Sequence, residues 1–262
     1  MPKTKKSSIK NTESIGSKIQ SIEVKAQNVL VKTEDNNFWP HSTISYSAIS
    51  SFESCPLCFY LRYYGGIKWP ETYPMRLGSA FQEALNLKYS KSKDKQNLDI
   101  LEPEDISAFK GLLDKAHDFK DILSVDSRYI ADFGLGIPIQ FIPDLLTKHE
   151  IVENKYTGGY YNEKMAREQK QGDIYWYGIR QLMGLELPVK YQIFNKKKKS
   201  VALVVLDKNI KDVTKTLSWM QIKIWQIKDC YGKNNWNTGK HGKWDCNLLK
   251  ACPIKYPQLV SE

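Results

Sequence analysis

The stretch Ile142-Pro143-Asp144-Leu145-Leu146-Thr147-Lys148-His149-Glu150-Ile151-Val152-Glu153-Asn154-Lys155-Tyr156 decides how this chain is read. Two runs rich in Ile, Leu and Val flank the polar turn Thr147 to Glu150, the pattern of strands joined by a hairpin. If that hairpin is symmetric about the Lys148–His149 bond, Leu146 faces Ile151, Leu145 faces Val152 and Asp144 faces Glu153. Facing side chains have Cβ atoms about 4.5–5.5 Å apart, where two like charges destabilise a sheet unless a cation joins them. Lys155 lies two residues beyond Glu153 and projects from the same face. An acidic pair and an ammonium thus converge. Carboxylate oxygens suit Mg2+ or Mn2+, with the Asn154 carbonyl as a further oxygen ligand, and the ammonium suits the orientation of water or the charge of a transition state. Taken alone, an E-x-K triplet on a hairpin is more often a solvated ion pair, so the surrounding chain has to decide.

Working outward, residues 135–146 read as one strand leading into this hairpin, and residues 102–124 as a helix with Ile106, Phe109, Leu112, Leu113 and Phe119 on its inner stripe. Farther upstream, short helices are expected after Ser45 and after Pro56, the second ended by Gly65-Gly66, and another over 77–89. Downstream come a helix over 162–183, strands over 189–194 and 200–206 joined by Lys196 to Lys199, and a helix over 208–229 with Ile210, Val213, Leu217, Met220, Ile224 and Ile227 in register. Alternating helices and hairpins imply an α/β layer structure with a mixed central sheet flanked by helices. Residues 1–40, rich in Lys, Ser and Asn, read as a basic, disordered tail, and 41–262 as one domain.

Lys and Arg number 39 against 29 Asp and Glu, and this excess favours a polyanionic partner, nucleic acid first. No apolar run is long enough to span a bilayer, and the basic N-terminus lacks the pattern of a secretory signal, so a cytoplasmic protein is expected. The Lys196 to Lys199 run reads as a solvated turn or a phosphate contact, and Tyr161 and Tyr177 as core aromatics or stacking platforms.

Pro143-Asp144 followed after eight residues by Glu153-Asn154-Lys155 resembles the motifs of the PD-(D/E)XK nuclease superfamily. Gln171-Gly172-Asp173-Ile174-Tyr175 resembles the Q-x-x-x-Y element of its RecB-like branch, which includes CRISPR-associated exonucleases, and Ser45-Tyr46-Ser47 with Cys55-Pro56 resembles that branch's opening helix. The resemblance implies a restriction-endonuclease-like core and metal-dependent cleavage of DNA, as an exonuclease in recombination, repair or phage DNA processing, alongside a helicase or recombination partner. It implies that Asp144 and Glu153 hold the metal, that Lys155 assists the nucleophile, and that Gln171 and Tyr175 position substrate or Lys155. Where the branch carries a metal-binding His, this chain has Gln82, a weaker oxygen ligand.

Members of the branch also clasp a [4Fe–4S] cluster between one N-terminal and three C-terminal cysteines. Cys55, Cys246 and Cys252 resemble three of these; Lys243 stands where the fourth belongs, and Cys58 or Cys230 could complete the set. Such a cluster, or a Zn2+ ion, would staple the irregular C-terminus to the first helix. Two alternatives stand beside the nuclease: an inactive nuclease-fold module that binds DNA, and a zinc-stapled RNA-binding protein.

Overall fold

A computed structural model describes residues 38–68, 71–91, 102–158 and 161–237. In chain order its elements are β1 (Ile44–Ser45), α1 (Tyr46–Ser54), α2 (Pro56–Tyr63), α3 (Tyr73–Ser90), α4 (Pro103–Leu113), β2 (Ile122–Val125), β3 (Tyr129–Ala131), β4 (Ile139–Phe141), β5 (Leu145–Thr147), β6 (Ile151–Thr157), α5 (Glu163–Glu168), α6 (Lys170–Met183), β7 (Val189–Asn195), β8 (Ser200–Leu206) and α7 (Ile210–Lys233). Side chains of Ser45, Asn162 and Asn209 cap α1, α5 and α7 by accepting the orphan N–H groups of the first turn.

The strands form a mixed five-stranded sheet in the order β2-β5-β6-β7-β8 and a three-stranded one in the order β1-β4-β3. Only β6–β7 is parallel in the larger sheet, with α5 and α6 as its crossover. The residue period of two along β5 and β6 sends side chains to two different cores. Leu145 and Val152 join Phe81, Leu85 and Phe109 of α3 and α4 on one face. Leu146 and Ile151 join Ile174 and Ile179 of α6, Met220 and Ile224 of α7, and Ile49 of α1 on the other. A helix layer on each side of a mixed sheet is the expected architecture.

Several boundaries differ from the expectations. The strand read over 135–146 is two, β4 in the small sheet and β5 in the large one, because Pro143 has no N–H to carry a ladder across the junction. The helix read over 102–124 ends at Leu113, and Ile122–Val125 is strand. Asp121, at φ +49°, turns the chain so that this segment pairs with the free edge of β5, while Phe119 stays buried from the loop. The helix read over 162–183 breaks at Gln169, whose ψ of 119° is extended. Of the expected tail, residues 1–37 lie outside the described residues, whereas Phe38 and Trp39 are buried, Trp39 stacked on Phe59 with centroids 5.5 Å apart.

One contact fixes the junction of the two sheets. A Cβ added to Gly178 of α6 would lie 2.2 Å from Phe141 Cζ, so any larger residue there would have to displace the Phe141 ring of β4. Among the described residues no helix is long and apolar enough to cross a membrane.

Candidate active site

β5 pairs with β6 at only two positions, Leu145 with Val152 and Leu146 with Ile151, the register the symmetric turn dictates. β6 runs on to Thr157, paired with β7 at every residue, so its other edge is open from Glu153 onward. Asp144 reaches over this edge: its Oδ2 accepts the Asn154 N–H at 2.5 Å. In an extended strand the N–H and C=O of one residue address the same neighbour, so the Asn154 carbonyl shares the open edge with the Asp144 carboxylate. The Asn154 side chain lies on the opposite face, where its Oδ1 accepts from Gln192 Nε2 at 2.9 Å.

Glu153 is 4% exposed, and both its oxygens are engaged. Lys155 donates to Oε1 and, at 3.2 Å, to Gln171 Oε1 on α6. Gln171 Nε2 donates at 2.5 Å to the Tyr175 hydroxyl, which lies 2.9 Å from both Glu153 Oε2 and the Ile142 carbonyl and has one proton to share between them. Gln171 and Tyr175 share a face of α6 because four residues separate them. Five residues singled out in the sequence, Asp144, Glu153, Lys155, Gln171 and Tyr175, therefore meet where the two sheets join.

Burial first, and the Glu153 carboxylate second, push the Asp144 acid well above the usual carboxylate range. The same causes in the same order push the Tyr175 phenol up, which keeps it a hydrogen-bond donor. Two carboxylates and one ammonium leave an excess of one negative charge in a desolvated gap, and the donor set is hard oxygen. These residues fit a divalent cation such as Mg2+ or Mn2+.

The remaining candidates lie outside this hydrogen-bonded cluster. Gln82 is on α3, the helix that packs on the opposite face of the large sheet from Tyr175, with its Nε2 donating to Asn86 Oδ1 at 2.9 Å. Tyr161 is half-buried near Glu153 and Tyr177 packs edge-on against Phe133 at 4.9 Å. Lys196, at the β7–β8 turn, is paired with the buried carboxylate of Asp105.

Cys55 and Cys58 are buried in a separate apolar cluster with Leu57, Leu61 and Ile67, the Cys58 N–H donating to Cys55 Sγ at 3.3 Å. The Leu57 N–H donates to the Asn237 carbonyl at 3.1 Å, which ties the chain after α7 to this spot. Cys230 is half-buried on α7, and Cys246 and Cys252 lie outside the described residues.

Sequence reasoning missed Asp126 and Asn86. The Asp126 N–H donates to the Asp144 carbonyl at 3.0 Å, and its carboxylate accepts from Asn86 at 3.1 Å. Neither has a local motif, since 40 residues separate them. It also missed Lys208, whose ion pair with Asp173 at 2.8 Å, both side chains 9% exposed, anchors the first turn of α6.

A family model described as the PD-(D/E)XK nuclease superfamily matches residues 43–255. Among solved structures, a candidate exonuclease from Eubacterium rectale superposes with a TM-score of 0.58 at 12% identity, over 83% of this chain and 92% of its own. The protein SSO0001 superposes with a TM-score of 0.49 at 12% identity, over 90% of this chain and 97% of its own. No curated protein sequence matches the chain.

Proposed function

From the premise that this chain belongs to the PD-(D/E)XK nuclease superfamily, we propose that it is a metal-dependent nuclease that hydrolyses DNA, acting from strand ends. The observation that carries the reading is the convergence of Asp144, Glu153 and Lys155 at the open edge of β6. The excess of basic residues supports a polyanionic substrate, and the exonuclease character named for the Eubacterium rectale protein supports action at ends.

In this mechanism Asp144, Glu153 and the Asn154 carbonyl would hold a Mg2+ or Mn2+ ion. Once bound, such an ion acidifies a water molecule and draws charge from the phosphoryl oxygen. The Asn154 N–H holds one oxygen of the Asp144 carboxylate against the edge of β6. Tyr175, kept protonated by its surroundings, fixes Glu153 from behind. Lys155, aimed by Glu153 Oε1 and Gln171 Oε1, presents its remaining proton to the attacking water or to charge growing on phosphorus. Gln171 thus aims the ammonium, and it is itself aimed by Tyr175.

The test is degradation of end-labelled linear DNA with Mg2+ or Mn2+, by wild type and by Asp144→Ala, against a circular control. Metal-dependent loss of label from linear DNA that disappears in the variant is expected. Equal behaviour of the two proteins would instead favour a module that keeps the scaffold and binds DNA without cutting it.

A further inference from the structure

Among the described residues no three His, Cys, Asp or Glu side chains converge so as to hold a metal ion. Among the described residues, the further protein ligands of a cation between Asp144 and Glu153 would therefore be neutral oxygens. A chain of hydrogen bonds beside the pair determines one of them. Asp126, at φ +48°, is tied by its backbone N–H to the Asp144 carbonyl at 3.0 Å. Its Oδ2 accepts from Asn86 Nδ2 at 3.1 Å, and Asn86 Oδ1 accepts from Gln82 Nε2 at 2.9 Å.

The two amides sit four residues apart on one face of α3. One residue before Gln82, Phe81 packs on Tyr156 of β6 with ring centroids 4.5 Å apart; one turn after it, Asn86 is level with Asp126 and hence with Asp144. α3 therefore runs past the open edge of β6, with Gln82 between those two levels.

The order of donors and acceptors in this chain has one direction. An ionised carboxylate only accepts, so Asp126 turns the Asn86 nitrogen toward itself and the Asn86 oxygen toward Gln82. That oxygen claims the Gln82 nitrogen, and the Gln82 oxygen is left leading, with no donor to it among the described residues. An amide is nearly symmetric in shape, so nothing but such a partner decides which end leads. With nitrogen leading, the group would repel a cation.

We propose that Asp126 is a positioning residue which, through Asn86, locks Gln82 with its amide oxygen toward the cation held by Asp144 and Glu153. The role proposed for Asp126 is to position, through its hydrogen bond to Asn86, rather than to bind the ion. The inference rests on the cation site proposed above.

The test is calorimetric titration of the metal-free full chain with Mn2+ in the absence of DNA. A glutamate carboxylate presents oxygen whichever way it turns, so Gln82→Glu makes the relay unnecessary. Asp126→Leu is expected to weaken Mn2+ binding about fivefold or more with the native Gln82, and about twofold or less in combination with Gln82→Glu. Asn86→Leu, which cuts the relay but keeps the Asp126 charge, is expected to reproduce the fivefold loss. An equal loss for Asp126→Leu in both backgrounds, or no loss for Asn86→Leu, overturns the relay and leaves the cation site standing. Binding that survives Asp144→Ala unchanged overturns the site, and the relay with it.

Discussion

The two hairpins of the large sheet look alike in the sequence and pair very differently. β7 and β8 are matched at all seven residues, Val189 with Leu206 through Asn195 with Ser200. β5 meets β6 at two positions and stops. The cause is local: Pro143 cannot donate, and Asp144 spends its side chain on the Asn154 N–H where a strand would offer its main chain. The fully paired hairpin is a structural wall. The truncated one leaves β6 with main-chain groups and a carboxylate facing an open edge, the place where chemistry can enter.

The contrast predicts that substitutions in the two hairpins fail in different assays. At the truncated hairpin, Asp144→Ala should lower metal-dependent DNA cleavage about a thousandfold or more while leaving the thermal midpoint close to wild type, because it removes an ion's ligand and a like-charge contact together. A gel assay paired with a melt checks both halves. Lys155→Ala should cost about a hundredfold in the same assay, the loss typical of one oriented electrostatic group. At the closed hairpin, Leu206→Ala, which empties a position 2% exposed, should lower stability by about 2–5 kcal/mol in urea titration, with cleavage per folded molecule unchanged. If Leu206→Ala slowed cleavage as Lys155→Ala does, the division between wall and working edge would be wrong.

Two smaller effects sharpen the contrast. Tyr175→Phe removes the proton shared with Glu153 and should slow cleavage about tenfold, with about 1 kcal/mol of stability lost. The pH dependence has a definite sign. Asp144 has a folded pKa raised above its unfolded value, so between the two the native state binds the extra proton and stability falls as pH rises. The metal-free protein should therefore melt at a higher temperature when pH is lowered from neutral toward the ordinary carboxylate range. Asp144→Asn should flatten that slope, and added Mn2+ should oppose it, as scanning calorimetry would register.

What could be read in the sequence was what depends on near neighbours. The register of Leu145–Leu146 on Ile151–Val152 follows from a four-residue turn, and the shared face of Gln171 and Tyr175 from helical spacing. What could not be read depends on pairing across distance. Ile122–Val125 carries apolar residues in helical phase with Phe119, and only the vacant edge of β5 makes it a strand. Gln169 gives no sign of breaking a helix, yet the chain bends there. Asp126 and Asn86 are ordinary polar residues until folding brings them beside Asp144.

Gly178 has a consequence for how finely the gap between the sheets is set. The chain passes from the small sheet to the large one through Ile142, Pro143 and Asp144, immediately after Phe141 has pressed against the bare backbone of α6. A methyl group there would act as a shim, lifting β4 from the helix that carries Gln171 and Tyr175. The distance from β4, where the chain turns toward Asp144, to the helix of Gln171 and Tyr175 is in this sense gauged by an atom the chain leaves out.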